Sequence, residues 1–249
     1  MHSLVDYSSD SDSSDNDNQS TKLPLPECIK KIQTKNKEQI PTDNPENHSG
    51  RVRTFAHERG NWVTLVYISI EIEILGEIEN YLKEIFRDLN LETIAKKHIS
   101  LTKTLVLLHH QIEIFNKLLE KTVCQQKIFE LILNNLSVFV NEEGSRTFIG
   151  LTIDNSAHHK MLFLLGSIND VVQQFNLETF YKNPSFHVSF LWCLGNQKKT
   201  IQTRINSKDV QLYMNNLFAK HYEQFNIKVL NVSCKSGNKI AKFYLNNSY

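Results

Sequence analysis

Cysteine is scarce in this sequence of 249 residues: Cys28, Cys124, Cys193 and Cys234 stand far apart with no Cys-x-x-Cys spacing. That excludes a zinc ribbon and offers no pattern for a disulfide framework. Long apolar runs are missing too. Nowhere do about 18 apolar residues follow one another, the length a membrane-spanning helix needs. The opening stretch, Met1 to Asp6, has no apolar signal-peptide core. These absences predict a soluble protein of a reducing compartment, cytosol or nucleus, with Cys193 as a small core residue. No serine sits in a Gly-x-Ser-x-Gly elbow, which weighs against a nucleophilic serine hydrolase.

Neither sign of charge dominates the whole chain, whose net charge is +1. The distribution is uneven, however. Residues 1–50 hold nine acids and five lysines, leaving 23 basic and 18 acidic residues for the remainder. A mildly basic body suits a polyanionic partner without identifying one. Proline is confined in the same way, since only Pro184 of the five prolines lies beyond residue 50.

What is present divides the chain in two. Residues 1–50 read as a Ser/Asp-rich, then proline-punctuated tail too poor in apolar surface to order itself. Lys30, Lys31, Lys35 and Lys37 within it are either solvated charge or a nuclear-import signal. Residues 51–249 read as one folded domain beginning near Arg51. There Trp62–Ser69 is β-branched and aromatic, predicting a strand, whereas Ile74, Ile78, Leu82, Ile85 and Leu89 recur at helical spacing and predict an amphipathic helix from Ile74 to Leu91. The patterning further predicts helices over Gln111–Lys121, Ala157–Phe175 and Lys208–His221, the last capped by Asn206 or Ser207. Strands are expected over Phe129–Val140 and Thr147–Ile153, as a hairpin around 141–144, and near Ile227–Ser233 and Ile240–Leu245. Mixed helices and strands indicate an α+β or α/β domain.

Two short segments carry the chemistry. His98-Ile-Ser100-Leu-Thr102 and Phe186-His187-Val-Ser189-Phe190 repeat one pattern, with the histidines 89 positions apart. On a strand, residues two apart share a face, so each segment presents an imidazole beside a hydroxyl. A single His-x-Ser is usually structural; two matched copies in apolar strands point to a cleft with two proton carriers and two hydrogen-bond donors. Histidine, with an ordinary pKa of about 6.5, acts as base or acid near neutrality. Ser100 and Ser189 would hold the oxygens of a phosphodiester. No metal-ligand spacing flanks either histidine, so chemistry without metal or cofactor is expected. His109, His110, His158 and His159 fall at helix starts, as surface or capping groups. Tyr181, on a loop that Pro184 keeps out of a helix, is equally well a core anchor or a platform for a base.

The paired motifs resemble those of the 2H phosphoesterases. The blocks Arg53–Trp62, His98–Thr102, Arg146–Leu151, Phe175–Tyr181, Pro184–Ser189 and Cys234–Lys239 are more narrowly similar to the eukaryotic U6 small nuclear RNA phosphodiesterases. The acidic start, with Leu4, Val5, Tyr7 and Ser9, fits as well. This resemblance implies an α+β, bilobal, pseudo-two-fold fold in which two antiparallel sheets flank a central cleft, with helices outside. It further implies a nuclear, monomeric 3′→5′ exoribonuclease that takes uridines and adenosines from the U6 RNA 3′ end and leaves a 2′,3′-cyclic phosphate. His98 and His187 would be catalytic, with His187 as base and His98 as acid, and Ser100 and Ser189 would bind phosphate. Tyr181 would stack on the terminal base, and the Ser185–Phe186 backbone, with Ile99 and Val188, would frame the nucleotide. Glu142 falls where the family contacts the base, although a carboxylate beside an RNA path is unfavourable. Two other readings use the same residues: a 2H enzyme that opens 2′,3′-cyclic phosphates, and a non-catalytic RNA-binding module of the spliceosome.

Overall fold

A computed structural model of the chain describes residues 60–247. The acidic tail, with Lys30, Lys31, Lys35 and Lys37, and the boundary near Arg51 lie outside those residues. Ten strands and six helices follow in the order β1 (Asn61–Ser69), α1 (Leu75–Ile85), β2 (Glu92–Thr93), β3 (His98–Ser100), β4 (Leu105–Leu108), α2 (His109–Val123), β5 (Phe129–Val140) and β6 (Arg146–Ile153). Then come α3 (His158–Gln173), β7 (His187–Leu194), α4 (Lys198–Ile205), α5 (Lys208–Lys220), α6 (Tyr222–Phe225), β8 (Asn226–Val229), β9 (Asn231–Ser236) and β10 (Lys239–Tyr244).

The named strands pair antiparallel in the spatial order β10-β9-β1-β3-β7-β6-β5-β8, with β4 also on β1 and β2 also on β7. The pseudo-symmetry is visible in this order. One half gathers around β1 and the other around β6, and they meet where β3 lies beside β7 through the single registered pair Ile99–Val188. Both central side chains are fully buried. Burying a Val or Ile side chain contributes roughly 1.5–3 kcal/mol, so the seam between the halves is held by apolar packing as well as by backbone bonds.

Helices form where the apolar spacing says they should. Leu75, Ile78 and Leu82 give α1 its buried stripe, and Phe115, Leu119 and Val123 do so for α2. The expected helix to Leu91 is shorter, because Phe86 leaves helical geometry and a 3-10 turn over Arg87–Leu89 closes on Asn90 at φ 45°. Asparagine tolerates that left-handed position. Ser207 caps α5 by backbone conformation, without a side-chain bond. The hairpin turn lies where expected: Gly144 has φ 67°, and Asn141 Oδ1 accepts the Arg146 amide at 2.8 Å.

Further elements differ from the sequence reading. β4 fills the edge of β1 beyond the break at Leu101–Thr104, and α4 is a helix with only Ile201 and Ile205 buried, too polar to stand out. The closing strand near Ile227–Ser233 is two strands. Its first part, β8, pairs with β5, whereas β9 pairs with β1 and β10 in the other half. Cys193 is a core residue, as expected. No helix among the described residues is long and apolar enough to cross a membrane.

Candidate active site

Strand alternation does the first part of the work. In β3, Ile99 points into the core while His98 and Ser100 stay partly open; in β7, Val188 is buried while His187 and Ser189 are not. Thr102, the last residue of the first segment, serves the fold instead: its buried hydroxyl accepts the Val66 amide at 3.0 Å. Extending the Ile99–Val188 register by one residue each way sets His98 across from Ser189 and Ser100 across from His187. Each histidine thereby stands beside its own serine and opposite the other one.

The rings are held alike. His98 Nδ1 lies 3.0 Å from the Lys96 carbonyl oxygen, and His187 Nδ1 lies 2.7 Å from that of Ser185. A carbonyl only accepts, so both Nδ1 atoms carry the hydrogen. That leaves each Nε2 as the atom that takes or gives a proton, and neither Nε2 has a protein partner among the described residues. The Ser100 and Ser189 hydroxyls are likewise unbonded there.

Their surroundings are not identical. Phe139 stacks on His187 at 3.6 Å between centroids and 10° between planes, whereas Tyr67 meets His98 edge-on at 5.2 Å. Burial pushes the His98 pKa below its ordinary value; the Lys96 carbonyl pulls it up and Lys235 pushes it further down. Burial also lowers His187; the Ser185 carbonyl opposes the shift, and a charge on His98 adds to it. A site with a proton on one imidazole and none on the other contains both an acid and a base.

A cavity of about 260 Å³ is lined by both histidines, both serines, Phe148 and Phe180. It opens into a cleft of about 620 Å³ that reaches Lys103, Arg146, Tyr181 and Asn183. Tyr181 is 45% exposed on the loop before β7, with Phe180 against its edge at 4.9 Å. It is therefore a surface aromatic of the cleft rather than a core anchor. Ser185 lines the cavity and orients His187 through its carbonyl. The side chains of Ile99 and Val188 are fully buried on the opposite face, and Phe186 is 3% exposed. Alternation turns all three away from the cleft, so none offers its side chain to a nucleotide.

Glu142 lies in an adjoining pocket at the cleft mouth that shares Lys103, Arg146 and Tyr181 with the cleft, but not as a bare charge. Lys103 Nζ lies 3.1 Å from its carboxylate, and that pairing, with a hydrogen bond from Tyr181, lowers its pKa. Lys103 and Phe139 were not legible as site residues: one follows the first segment as an ordinary surface lysine, and the other reaches His187 only through sheet register. Arg146, within a quoted block but without an assigned role, faces the cleft 5.9 Å from the Phe148 ring. It has no carboxylate partner among the described residues. His109 and His158 instead contact Trp62 and Phe186 at the starts of α2 and α3.

Comparison with known proteins adds three findings. The family described as HVSL, an uncharacterised conserved protein, matches residues 23–244. The chain is 33% identical over 232 residues to U6 snRNA phosphodiesterase 1 of Danio rerio, covering 90% of this chain and 81% of that protein. It is 34% identical over 217 residues to the Homo sapiens protein of that name, covering 81% and 76% respectively. The fold is similar to that of Usb1 from Kluyveromyces marxianus, with a TM-score of 0.51 at 13% identity over 74% of this chain and 98% of that one.

Proposed function

Since this chain belongs to the U6 snRNA phosphodiesterase family, we propose that it is a nuclear RNA phosphodiesterase that trims the 3′ end of U6 snRNA. In this reading it works as a 3′→5′ exoribonuclease, removing uridines and adenosines one at a time. One observation carries the chemistry: two histidines whose Nε2 atoms, and two serines whose hydroxyls, have no partner among the described residues share one small cavity across the Ile99–Val188 pair.

The reaction that suits this set is internal transesterification. His187 Nε2 takes the proton from the 2′-OH of the penultimate ribose, and the 2′ oxygen bonds to phosphorus. The P–O5′ bond to the last nucleotide breaks as His98 Nε2 protonates that oxygen. The RNA keeps a 2′,3′-cyclic phosphate, the terminal nucleoside leaves with a 5′-OH, and one proton has passed from His98 to His187. A charge on His98 disfavours a second proton on His187, which leaves one imidazole of the pair able to accept. Each positioned transfer contributes about 10²–10⁴-fold. Ser100 and Ser189 donate to the non-bridging oxygens, where an aligned donor contributes roughly 3–4 kcal/mol. Tyr181 stacks on the departing base.

End-group analysis tests this reading. Oligo(U) with a 3′-OH is expected to shorten stepwise in excess EDTA and to end in a cyclic phosphate. Reaction only of RNA already carrying a cyclic end supports the ring-opening alternative, and no reaction supports a binding module. A 2′-deoxy penultimate residue is expected to block removal of the last nucleotide; an unchanged rate would rule out internal attack.

A further inference from the structure

The cleft mouth has an arrangement that proton transfer does not use. Lys103, three residues past the end of β3, lies 2.7 Å from Glu178 and 3.1 Å from Glu142. Its ammonium also sits 4.8 Å from the centroid of the Tyr181 ring. These partners come from separate parts of the chain: Glu142 from the β5–β6 turn, Glu178 and Tyr181 from the connection between α3 and β7. The Lys103 side chain is only 21% exposed, against 60% and 74% for the two carboxylates. The phenol is thus held at two points, with the ammonium over one face and the Phe180 ring in an edge contact.

Two consequences follow from charge and geometry. A cleft meant for a phosphate chain has two carboxylates at its mouth, and without a cation between them they would repel each incoming phosphate within the screening length of about 8–10 Å. A ring with one face under an ammonium has only its other face free for a base to stack on. We propose that Lys103 is a positioning residue for RNA: by pairing with Glu142 and Glu178 it cancels their repulsion, and by seating on Tyr181 it commits the opposite ring face to the terminal base. This deepens the RNA reading and rests on it. Lys103 acts here through its neighbours and touches no reacting atom.

The test is a set of variants assayed on oligo(U) with a 3′-OH. Lys103→Met is expected to raise KM by about 5- to 30-fold, with a smaller effect on kcat, the combined size of an ion-pair and a cation–π contact. Lys103→Arg keeps the charge and should recover most of the loss. The triple variant Lys103→Met, Glu142→Gln, Glu178→Gln should recover the ion-pair part of the loss, because the charges needing compensation are gone, and keep the part that comes from the unseated ring. A wild-type KM for Lys103→Met overturns the proposal. So does a triple variant as impaired as the single one, which would mean that Lys103 grips phosphate directly. A readout independent of RNA is the NMR signal of the Lys103 ε-methylene in the free protein. Ring current should shift it upfield, and Tyr181→Leu should abolish the shift. An unshifted signal overturns the seating of Lys103. If the shift is present but the wild-type protein shortens no RNA, the functional reading fails instead.

Discussion

Adding one methyl group at position 150 tests whether the spacing of β6 and β7 sets the geometry of the four polar residues. Gly150 is buried in β6, directly opposite Ser189, at the register shift between Ile149 and Gly150. A Cβ there would lie 2.5 Å from the Val188 carbonyl oxygen, 3.1 Å from its carbon and 3.2 Å from Ser189 Cα. All three atoms are backbone, so no side chain can swing aside. Ordinary contact begins at 3.4 Å, so the oxygen must retreat by 0.9 Å (3.4 − 2.5). Val188 is the residue paired with Ile99, and His187 and Ser189 flank it. Because β7 lies between β6 and β3, any shift of β7 displaces one histidine and one serine relative to the other pair.

Overpacking of this kind costs about 1–3 kcal/mol. For a domain of this size that lowers the melting temperature by roughly 2–12 °C. Displacement of catalytic groups by about 1 Å costs on the order of 10²-fold in rate. Gly150→Ala is thus expected to melt several degrees early and to lose most of its kcat/KM on oligo(U) at a temperature where it is still folded. Gly166→Ala is the control. That glycine lies on the exposed side of α3 with nothing within 4 Å of a Cβ, so alanine should stabilise by about 0.5–1 kcal/mol. A Gly150→Ala protein with unaltered melting and unaltered kcat/KM would refute the reasoning.

Other outcomes follow from the two imidazoles. His98→Ala and His187→Ala should each reduce kcat/KM by about 10²-fold or more while circular dichroism reports a native fold, and near wild-type activity in either variant would remove that residue from the mechanism. Both histidine pKa values are pushed below the ordinary 6.5. Activity should therefore rise as the base loses its proton and fall as the acid does, giving a bell in kcat/KM whose two limbs both lie below pH 6.5; an alkaline limb near pH 8 contradicts this. The same lowering makes protonation favour the unfolded chain, so the stability it contributes is complete above pH 6.5 and lost as pH falls through the folded values. Chemical denaturation of the His98→Ala, His187→Ala double variant should show a shallower acid decline than wild type.

Much of this was legible in the sequence because it is local. The i, i+2 spacing of His98 with Ser100, and of His187 with Ser189, fixes which side chains share a face once a strand forms. The 3–4 spacing of Leu75, Ile78 and Leu82 likewise announces a helix whatever it packs against. Signals failed where local pattern is thin. With only Ile201 and Ile205 buried, α4 has too few apolar positions to reveal its period. The split at Leu230 leaves no local trace either, since the strands on both sides of it are β-prone and only their partners differ.

The sequence by itself determined the chemistry available: two imidazole–hydroxyl pairs on strand faces, a mildly basic body, and an acidic tail set apart by composition. Only the tertiary structure decided how those pairs meet. Antiparallel pairing at Ile99 and Val188 turned two segments far apart in the chain into one cavity, and the carbonyls of Lys96 and Ser185 chose the tautomer. The close approach at Gly150, the Phe139 stack on His187 and the Lys103 cluster on Tyr181 also depend on register between distant strands and loops. Register comes from the packing of whole faces against each other, and no window of neighbouring residues contains both sides of that contact.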